Sequence, residues 1–290
     1  MNPAMPNPPD LTRRPAAEFT PAQLADCLTA GFEDYLIPAR FTAEGLERRM
    51  RPEHLDPYAS SVYLEGDRPA GVILIARRGW TSRVAAMGVA KPFRGRGVGR
   101  RMLEEALEEA RARGDRRMLL EVFEQNPAAV RLYQGVGFRV TRRLLGYERP
   151  AEPGEAAGLV EIDPLDYARV AAREYEPDLP WMLAPETLCG WVAPARAFRL
   201  GEAGSAEAAY ALVNDTPGES FLLWGLLVPA PGRRKGWGRR MVRALAALHG
   251  GKACRVVQVV PEDLAPQFLA RLGFTPLPLN QFEMRHDLGS

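Results

Sequence analysis

One stretch decides the fold: Met87-Gly-Val-Ala-Lys-Pro-Phe-Arg-Gly-Arg-Gly-Val-Gly99, which runs on into Arg100-Arg-Met-Leu-Glu-Glu-Ala-Leu-Glu-Glu-Ala-Arg111. The apolar residues before Pro92 predict a short strand. The glycines after it, Gly95, Gly97 and Gly99, predict a turn that exposes backbone N–H groups where a helix begins. Exposed amides and the positive end of a helix dipole attract anions, and three arginines add positive charge: Arg94, Arg96 and Arg100. The stretch therefore predicts a strand, a phosphate-binding turn and a helix.

The helix after the turn is indicated by the spacing of its apolar residues. They recur at intervals of three and four and so form one buried face: Met102, Leu103, Ala106, Leu107 and Ala110. The glutamates between them face water, and Gly114 ends the helix.

Two other glycine-rich turns compete for this interpretation. A dinucleotide-binding turn would need glycine at position 100 or 102, where Arg100 and Met102 stand, and no Gly-Lys-Ser/Thr follows to make a nucleotide P-loop. The dinucleotide alternative stays open for one reason. Glu121 lies 24 residues after Gly97 in an apolar run, where a ribose-binding acid is expected.

Composition limits the class of protein. The 290 residues suit two domains, and the apolar content of 46% is enough for packed cores. A net charge of +2, with the arginines spread among acids, gives no indication of a nucleic-acid partner. The cysteines (Cys27, Cys189 and Cys254) are too scattered for a disulfide framework or a zinc site, so no metal is expected. Residues 1–15 contain no apolar core typical of a signal peptide or membrane span, so a cytoplasmic protein without a membrane partner is expected.

The first half predicts further elements around the turn. Residues 1 to about 17 are rich in proline and are expected to be disordered or draped. Five elements are predicted from caps, turns and apolar runs: a helix after Thr20, a helix after Thr42, a hairpin over 62–76 turning at Gly66-Asp67, a strand over 117–123, and a helix over 127–135 capped by Asn126. A further strand is predicted from Gly137 toward Tyr147.

The segment between the first two helices contains Glu33, Asp34 and Tyr35. Two acids beside an aromatic ring in a loop are a candidate site for a cationic acceptor. A solvated helix end explains the same residues, and both interpretations stay open.

The second half repeats the first. Residues 151–158 predict a linker between domains at 1–150 and 159–290. Beyond it, Arg233-Arg-Lys-Gly-Trp-Gly-Arg-Arg-Met-Val242 matches Arg94-Gly-Arg-Gly-Val-Gly-Arg-Arg-Met-Leu103 at an offset of 139, and 268–274 matches 132–138 at an offset of 136. A hairpin over 198–213, a strand over 221–228 and a helix over 239–248 complete the same order of elements.

These motifs resemble the GNAT superfamily of acyl-CoA-dependent acyltransferases, present twice. The signature Gln/Arg-x-x-Gly-x-Gly/Ala is met by Arg94, Gly97 and Gly99. The later Asn...Leu-Tyr-x-x-x-Gly-Phe helix is met by five residues: Asn126, Leu132, Tyr133, Gly137 and Phe138. The resemblance implies an α/β fold, an α+β mixed sheet with flanking helices in each tandem domain.

The resemblance also implies where acetyl-CoA is held. The turn amides hold the pyrophosphate, and the residues concerned are Arg94, Gly95, Arg96, Gly97, Val98, Gly99 and Arg100. The strand residues Met87, Gly88 and Val89 pair with the pantetheine. Asn126 and Tyr133 flank the thioester, with Asn126 also serving as helix cap.

Acyl transfer needs a base for the amine and an acid for the departing thiolate. Tyr133 is the acid candidate by its motif position, with a core aromatic as the alternative. Glu121 precedes Tyr133 by 12 residues. This spacing resembles the ribosomal-protein alanine acetyltransferases, in which the glutamate acts as base, often through water. The alternative for Glu121 is a carboxylate that only forms a salt bridge.

The second repeat lacks these groups. Counting back from Gly273, Tyr133 aligns with Leu269, Asn126 with Glu262 and Glu121 with Val257. The turn survives as Arg233, Gly236 and Gly238, although Trp237 replaces Val98. A structural or substrate-shaping second domain is expected, and a second domain that binds CoA without turnover is the alternative.

Two functions follow. The first is an acetyltransferase that moves acetyl from acetyl-CoA to an amine of a small molecule or peptide by direct attack in a ternary complex. The second is a non-catalytic protein that binds or senses acyl-CoA. The acceptor's identity stays open because acceptor loops vary. The oligomeric state, a homodimer included, also stays open.

Overall fold

The computed structural model describes residues 10–37, 39–155, 158–175, 178–202, 204–205, 207–215 and 218–289. In chain order the elements are β1 (Thr12–Pro15), α1 (Pro21–Gly31), α2 (Ala43–Glu53), β2 (Leu55–Glu65), β3 (Arg68–Arg78), β4 (Thr81–Val89), α3 (Val98–Ala112), β5 (Arg117–Phe123), α4 (Pro127–Gly135) and β6 (Arg139–Arg149). They continue with β7 (Leu159–Ile162), α5 (Pro164–Glu174), α6 (Pro185–Leu188), β8 (Ala195–Leu200), β9 (Ala209–Asp215), β10 (Ser220–Leu227), α7 (Trp237–Leu248), β11 (Ala253–Pro261), α8 (Pro266–Arg271), β12 (Thr275–Pro276) and β13 (Gln281–Asp287).

The chain divides into two compact units. The first comprises the residues up to Thr141 together with those from Phe282 onward, and the second is Arg142–Gln281. This grouping differs from the expected division at 151–158. The last strand belongs almost wholly to the first unit, because Met284 and Leu288 are buried in that unit's core.

The described part of the expected linker is packed within the second unit. The Glu155 N–H donates to the Arg243 carbonyl at 3.2 Å, and its carboxylate lies 3.0 Å from the Arg243 guanidinium. Residues 156–157 of that prediction lie outside the described residues. A stretch rich in proline and glycine lacks regular structure, but that composition alone does not place a domain boundary.

The sheet of the first unit has the strand order β1-β2-β3-β4-β5-β13. Neighbours from β1 to β4 are antiparallel, and β4 and β5 are parallel. The helices predicted after Thr20 and Thr42 are confirmed, and each threonine side chain accepts a hydrogen bond from the first turn. The hairpin of β2 and β3 turns at the predicted Gly66-Asp67, and β5 has the predicted bounds.

The expectation for residues 1 to about 17 is wrong for the part that the structure describes. Thr12–Pro15 forms β1, which pairs with β2 so that Arg13 lies opposite Tyr63. Leu11 and Ala16 on either side of it are buried. Pro15 is tolerated because β1 is at the edge of the sheet. Residues 1–9 lie outside the described residues.

The core of the first unit lies on both faces of its sheet. One face packs against α3, whose five predicted apolar residues are all buried, and the other packs against α1 and α2 through residues such as Leu28 and Leu46. The glycine turn and the loop after α1 are therefore held by elements with buried faces.

The second unit repeats this plan with the order β6-β11-β10-β9-β8-β7. The predicted hairpin is formed by β8 and β9, and β10 pairs in parallel with β11. One irregularity is shared by the two units. The residue bulged out of the antiparallel ladder is Ala85 in β4 and Trp224 in β10, which are 139 positions apart, like the two glycine turns. Each unit therefore bends the same strand at the same place.

Candidate active site

The candidate site begins where β4 and β5 separate. The ladder between them runs from Thr81 to Val84 on β4 and, among the described residues, ends there. Beyond the bulge β4 stays paired with β3 up to Val89. The other edge of Met87–Val89 therefore presents backbone N–H and C=O groups to the gap, except for the Val89 carbonyl, which accepts from Arg94. It is a strand edge to which an extended ligand can add.

The glycine turn follows at the end of this strand. Gly95 and Gly97 have φ of 73° and 79°, in the left-handed region that favours glycine, and Gly97 caps α3. The Arg101 N–H donates to the Gly97 carbonyl at 3.1 Å. The amides of Val98–Arg100 precede this first helical hydrogen bond and point out of the helix end, which is the arrangement of an anion site.

The helix α3 begins at Val98, within the glycine turn. Gly99 therefore lies in its first turn, where a Cβ would stand 3.1 Å from the Leu132 side chain and 3.2 Å from that of Met87. Glycine at this position lets α3 pack closely on β4 and α4. By contrast, a Cβ on Gly97 would meet no atom within 4 Å, so the space beside that residue is open to a ligand.

The Arg94 side chain turns back onto the protein. Its Nε donates to the Val89 carbonyl at 2.9 Å, and its terminal nitrogen donates to the Glu33 carbonyl at 2.7 Å. Arg233 makes the same contact in the second unit, donating from Nε to the Val228 carbonyl at 3.1 Å. The arginine of the motif therefore ties the turn to the preceding strand in both units.

The other two arginines of the turn also have partners within the protein. The Arg100 guanidinium donates to Glu104 at 3.1 Å and to the Gly135 carbonyl at 3.2 Å. That of Arg96 lies 3.8 Å from Glu65. The groups of the turn best placed for an anion are thus its backbone amides rather than these side chains.

Asn126 and Tyr35 meet on the other side of the gap. The Asn126 side-chain oxygen accepts the Ala129 N–H at 3.1 Å, as the predicted helix cap. The same side chain forms a hydrogen bond with Tyr35, whose ring centroid lies 6.2 Å from that of Phe123. The loop after α1 is thereby joined to the end of β5.

Tyr133 lies beside this group. Its ring centroid is 6.1 Å from that of Phe138 in an edge-to-face arrangement. Burial raises the pKa of its hydroxyl well above the ordinary value, and the neighbouring Tyr35 raises it further. Tyr133 therefore holds its proton at neutral pH and can act as a donor.

Glu121 is buried and paired. The Arg83 Nε donates to one of its carboxylate oxygens at 2.8 Å, and the two side chains are each 8% exposed. Burial raises the pKa of Glu121 and the charge of Arg83 opposes that rise, with a net upward shift. Arg83 also contacts Glu53 at 3.1 Å. For Glu53 burial raises the pKa, but the guanidinium groups of Arg49 and Arg83 outweigh it and the net shift is downward.

Arg83 and Glu53 were missed by sequence reasoning. The available signal is Glu121 itself, because a carboxylate within an apolar strand calls for a buried cation. Its partner lies 38 residues earlier, on the strand next to it in the sheet. Only the parallel pairing of β4 with β5 brings the two side chains together.

The three candidate acceptor residues separate in the structure. Asp34 is exposed and its carboxylate lies 2.9 Å from Lys91. Glu33 contributes its carbonyl to Arg94. Tyr35 is the member of the three that reaches Asn126 and Tyr133.

The second unit keeps the turn and changes the rest. Gly236 has φ of 84° and caps α7. Its last helix, α8, begins at Pro266 after Ala265, which offers no side-chain cap. Glu262 lies outside that helix and donates its N–H to the Arg143 carbonyl at 3.1 Å, and Leu269 packs against the core.

The described residues lack two kinds of feature. They contain no group of three or more metal-ligating side chains placed to hold a metal ion. None of their helices has the length and apolarity needed to cross a membrane.

The first unit is similar to a known family of proteins. Residues 23–138 match the model of the Acetyltransferase (GNAT) family. N-alpha-acetyltransferase 30 of Schizosaccharomyces pombe is 31% identical over 99 residues, 32% of this chain and 66% of that protein. Mycothiol acetyltransferase of Thermobispora bispora is 32% identical over 126 residues, 37% of this chain and 39% of that protein. The chain thus spans less than two thirds of each of these relatives.

Two solved structures are similar over nearly the whole chain. A tandem GNAT protein from the clavulanic acid biosynthesis pathway has a TM-score of 0.68 at 20% identity, covering 97% of this chain and 99% of that one. A GCN5-related N-acetyltransferase from Sphaerobacter thermophilus has a TM-score of 0.67 at 15% identity, with 98% of each chain covered. At these identities the likeness concerns the fold. Residues 23–138 are therefore similar to the GNAT acetyltransferase family, and the chain as a whole has the fold of a tandem GNAT protein.

Proposed function

We propose that the first unit transfers an acetyl group from acetyl-CoA to an amine. The observation that carries this proposal is the gap between β4 and β5, which has a free strand edge on one side, the glycine turn at its end, and Asn126 and Tyr133 across it. The match of residues 23–138 to an acetyltransferase family supports it.

The residues present fit acetyl-CoA. The open space beside Gly97 and the amides of Val98–Arg100 suit a pyrophosphate, and the edge of Met87–Val89 suits the amide groups of pantetheine. When bound, acetyl-CoA supplies the activated acetyl thioester. Asn126, which the resemblance places at the thioester, has its amide between α4 and Tyr35.

Tyr133 is the proposed acid. As the amine nitrogen bonds to the acetyl carbon, the bond from that carbon to sulfur breaks, and Tyr133 gives its proton to the departing sulfur. The hydroxyl of Tyr133 is protonated at neutral pH, and the proton is given up only as negative charge develops on the sulfur.

Glu121 is the proposed base. It takes up the proton that the amine loses, through a water molecule because the carboxylate is almost fully buried. Burial raises its pKa, which makes the carboxylate a stronger base than an exposed one. Arg83 holds the carboxylate in one orientation. A purely structural salt bridge would have the same geometry, so the assignment depends on kinetics.

The proposed acceptor is the amine of a small molecule or peptide. Its binding loop is the segment after α1, where Tyr35 lies beside Tyr133 and forms a hydrogen bond with Asn126. The names of the relatives, an N-alpha-acetyltransferase and a mycothiol acetyltransferase, span both kinds of acceptor.

The second unit is proposed to serve stability or acceptor binding. Leu269 has no proton to donate, and Glu262 does not cap α8. The second unit retains the glycine turn at Gly236. This turn begins α7, whose apolar face is buried.

Thiol release tests the proposal. The full chain is incubated with acetyl-CoA and either a set of peptides or a set of small amines, and free CoA thiol is measured. Release that depends on an amine supports the acetyltransferase. Binding of acetyl-CoA by calorimetry without release under any of these conditions would favour the alternative, a protein that binds or senses acyl-CoA.

A further inference from the structure

A second candidate site lies at the opposite end of β4 from the glycine turn. A surface depression of about 480 Å³ is lined by six residues of the first unit: Trp80, Thr81, Arg116, Arg117, Arg285 and Asp287. Thr81 begins β4 and Val89 ends it. At about 3.3 Å per residue the two ends are roughly 26 Å apart, so the depression is separate from the acetyl-CoA site.

The depression carries positive charge that the protein does not neutralise. Arg285 is paired with Asp287, with 3.0 Å between nitrogen and oxygen. Arg116 instead lies over the indole of Trp80, 3.5 Å from the ring centroid, and Arg117 donates to the Thr81 hydroxyl at 2.9 Å. Throughout the described ranges, neither Arg116 nor Arg117 has a carboxylate partner.

The groups that line the depression are held in place. The Arg116 N–H donates to the Trp80 carbonyl at 2.7 Å, and the Leu288 N–H donates to the Arg116 carbonyl at 2.9 Å. Three separate segments of chain are thereby fixed to one another. Because the Thr81 oxygen accepts from Arg117, its own O–H is left to donate to a ligand.

We propose that this depression binds the phosphate group of a small phosphate monoester. Two guanidinium forks and one hydroxyl offer donors to several oxygens of one anion, and planar guanidinium groups match phosphate well. A phosphate monoester carries about −1.5 to −2 charges at neutral pH, which balances the two unpaired arginines, whereas a carboxylate carries one. The exposed indole, 61% accessible, adds a flat wall beside the anion.

The test uses the tryptophans as local reporters. The full chain, labelled with ¹⁵N-tryptophan, gives indole signals from five residues, and the Trp80→Phe variant assigns that of Trp80. Inorganic phosphate and glycerol 3-phosphate are titrated separately against sodium chloride at constant ionic strength. Each is expected to shift the Trp80 signal in a saturable way, with a dissociation constant of roughly 1 mM.

Two variants separate a built site from general charge. Arg117→Gln is expected to raise the dissociation constant for phosphate at least fivefold. Arg131 is an exposed arginine on α4, and Arg131→Gln is expected to leave the dissociation constant unchanged. The Trp237 signal reports phosphate at the second glycine turn, and the remaining indole signals report folding. A Trp80 signal that does not saturate would overturn the proposal. The same increase of the dissociation constant in both variants would also overturn it. A response to phosphate without one to glycerol 3-phosphate would overturn the assignment of a monoester.

Discussion

Gly31 and Gly88 lie backbone against backbone: a Cβ built on either glycine would stand 2.8 Å from the other's Cα. Gly31 ends α1, and Gly88 lies on the part of β4 that is not paired with β5. The helix that leads into the acceptor loop is thus set directly on the strand that is proposed to bind acetyl-CoA. Neither glycine has a positive φ, so the requirement is for space rather than for conformation.

Gly31→Ala is expected to destabilise the first unit by about 1 to 3 kcal/mol, because the added methyl group forces α1 away from β4. Thermal unfolding measures the loss. Gly45→Ala on α2, where the nearest atom to a Cβ is 3.0 Å away on the flexible Thr42 side chain, is the matched helical control and should change stability less. Equal stability of the two variants would show that α1 can shift at no cost.

Gly97→Val is expected to weaken acetyl-CoA binding at least tenfold, or about 1.4 kcal/mol, since the side chain enters the space proposed for the pyrophosphate. Calorimetry measures the affinity. Gly66→Val is the control for backbone strain, because Gly66 has φ of 60° and an equally open Cβ position in a hairpin turn. If both variants bind acetyl-CoA like the parent protein, the turn is not the cofactor site.

Tyr133→Phe is expected to lower kcat by about 10² to 10⁴, with a much smaller change in the KM for acetyl-CoA, because the proton is needed only as the thiolate leaves. Steady-state kinetics measure both constants. Tyr58→Phe, at a side chain that is 80% exposed, should have no effect. Unchanged turnover at every pH would leave Tyr133 with a packing role.

Glu121→Gln is expected to remove a pH dependence. The pKa of Glu121 is raised, and only the carboxylate can accept a proton, so the parent's kcat should rise as pH rises through that pKa. The glutamine variant should be slower and should lack this rise. Measuring kcat of both proteins as a function of pH tests both expectations.

Glu53→Gln is the matched control for Glu121→Gln, because it disturbs the same arginine and leaves the proposed base in place. It also removes a negative charge that raises the pKa of Glu121, so the rise of kcat is expected at lower pH. It should cost stability, about 3 to 5 kcal/mol for a broken buried pair, and keep the rise of kcat with pH. Should both variants show the same profile, Glu121 acts only through the salt bridge.

The two glycine turns are expected to behave differently. Gly97→Val should abolish acetyl transfer, whereas Gly236→Val should leave one productive acetyl-CoA site per chain and act mainly on melting temperature. Both glycines have positive φ and open Cβ positions, so the backbone strain is comparable. Loss of activity only in the folded Gly236→Val protein would place the catalytic site in the second unit.

Local features of the fold could be predicted from the sequence. The bounds of β5 were predicted because an apolar run is bounded by charged residues, and the glycine turn because left-handed backbone favours glycine. The predicted helix cap by Asn126 is confirmed, whereas the catalytic role of Tyr133 stays a prediction.

Features that depend on pairing between distant segments could not be predicted. The contact of Arg83 with Glu121 requires the parallel register of two strands. The strand Thr12–Pro15 follows a proline-rich sequence and exists because β2 offers it an edge. The grouping of β13 with the first unit has no local signal, since its sequence is that of any half-buried strand.

That grouping bears on how the protein is made. Met284 and Leu288 belong to the core of the first unit, yet they are synthesised only after the whole of the second. At about 5 to 20 residues per second, the intervening stretch of roughly 140 residues delays them by about seven to thirty seconds. During this interval the nascent first unit has an incomplete core and an unpaired β5 edge, exposed to chaperones and to neighbouring chains. A protein truncated at 150 would remain in that state permanently.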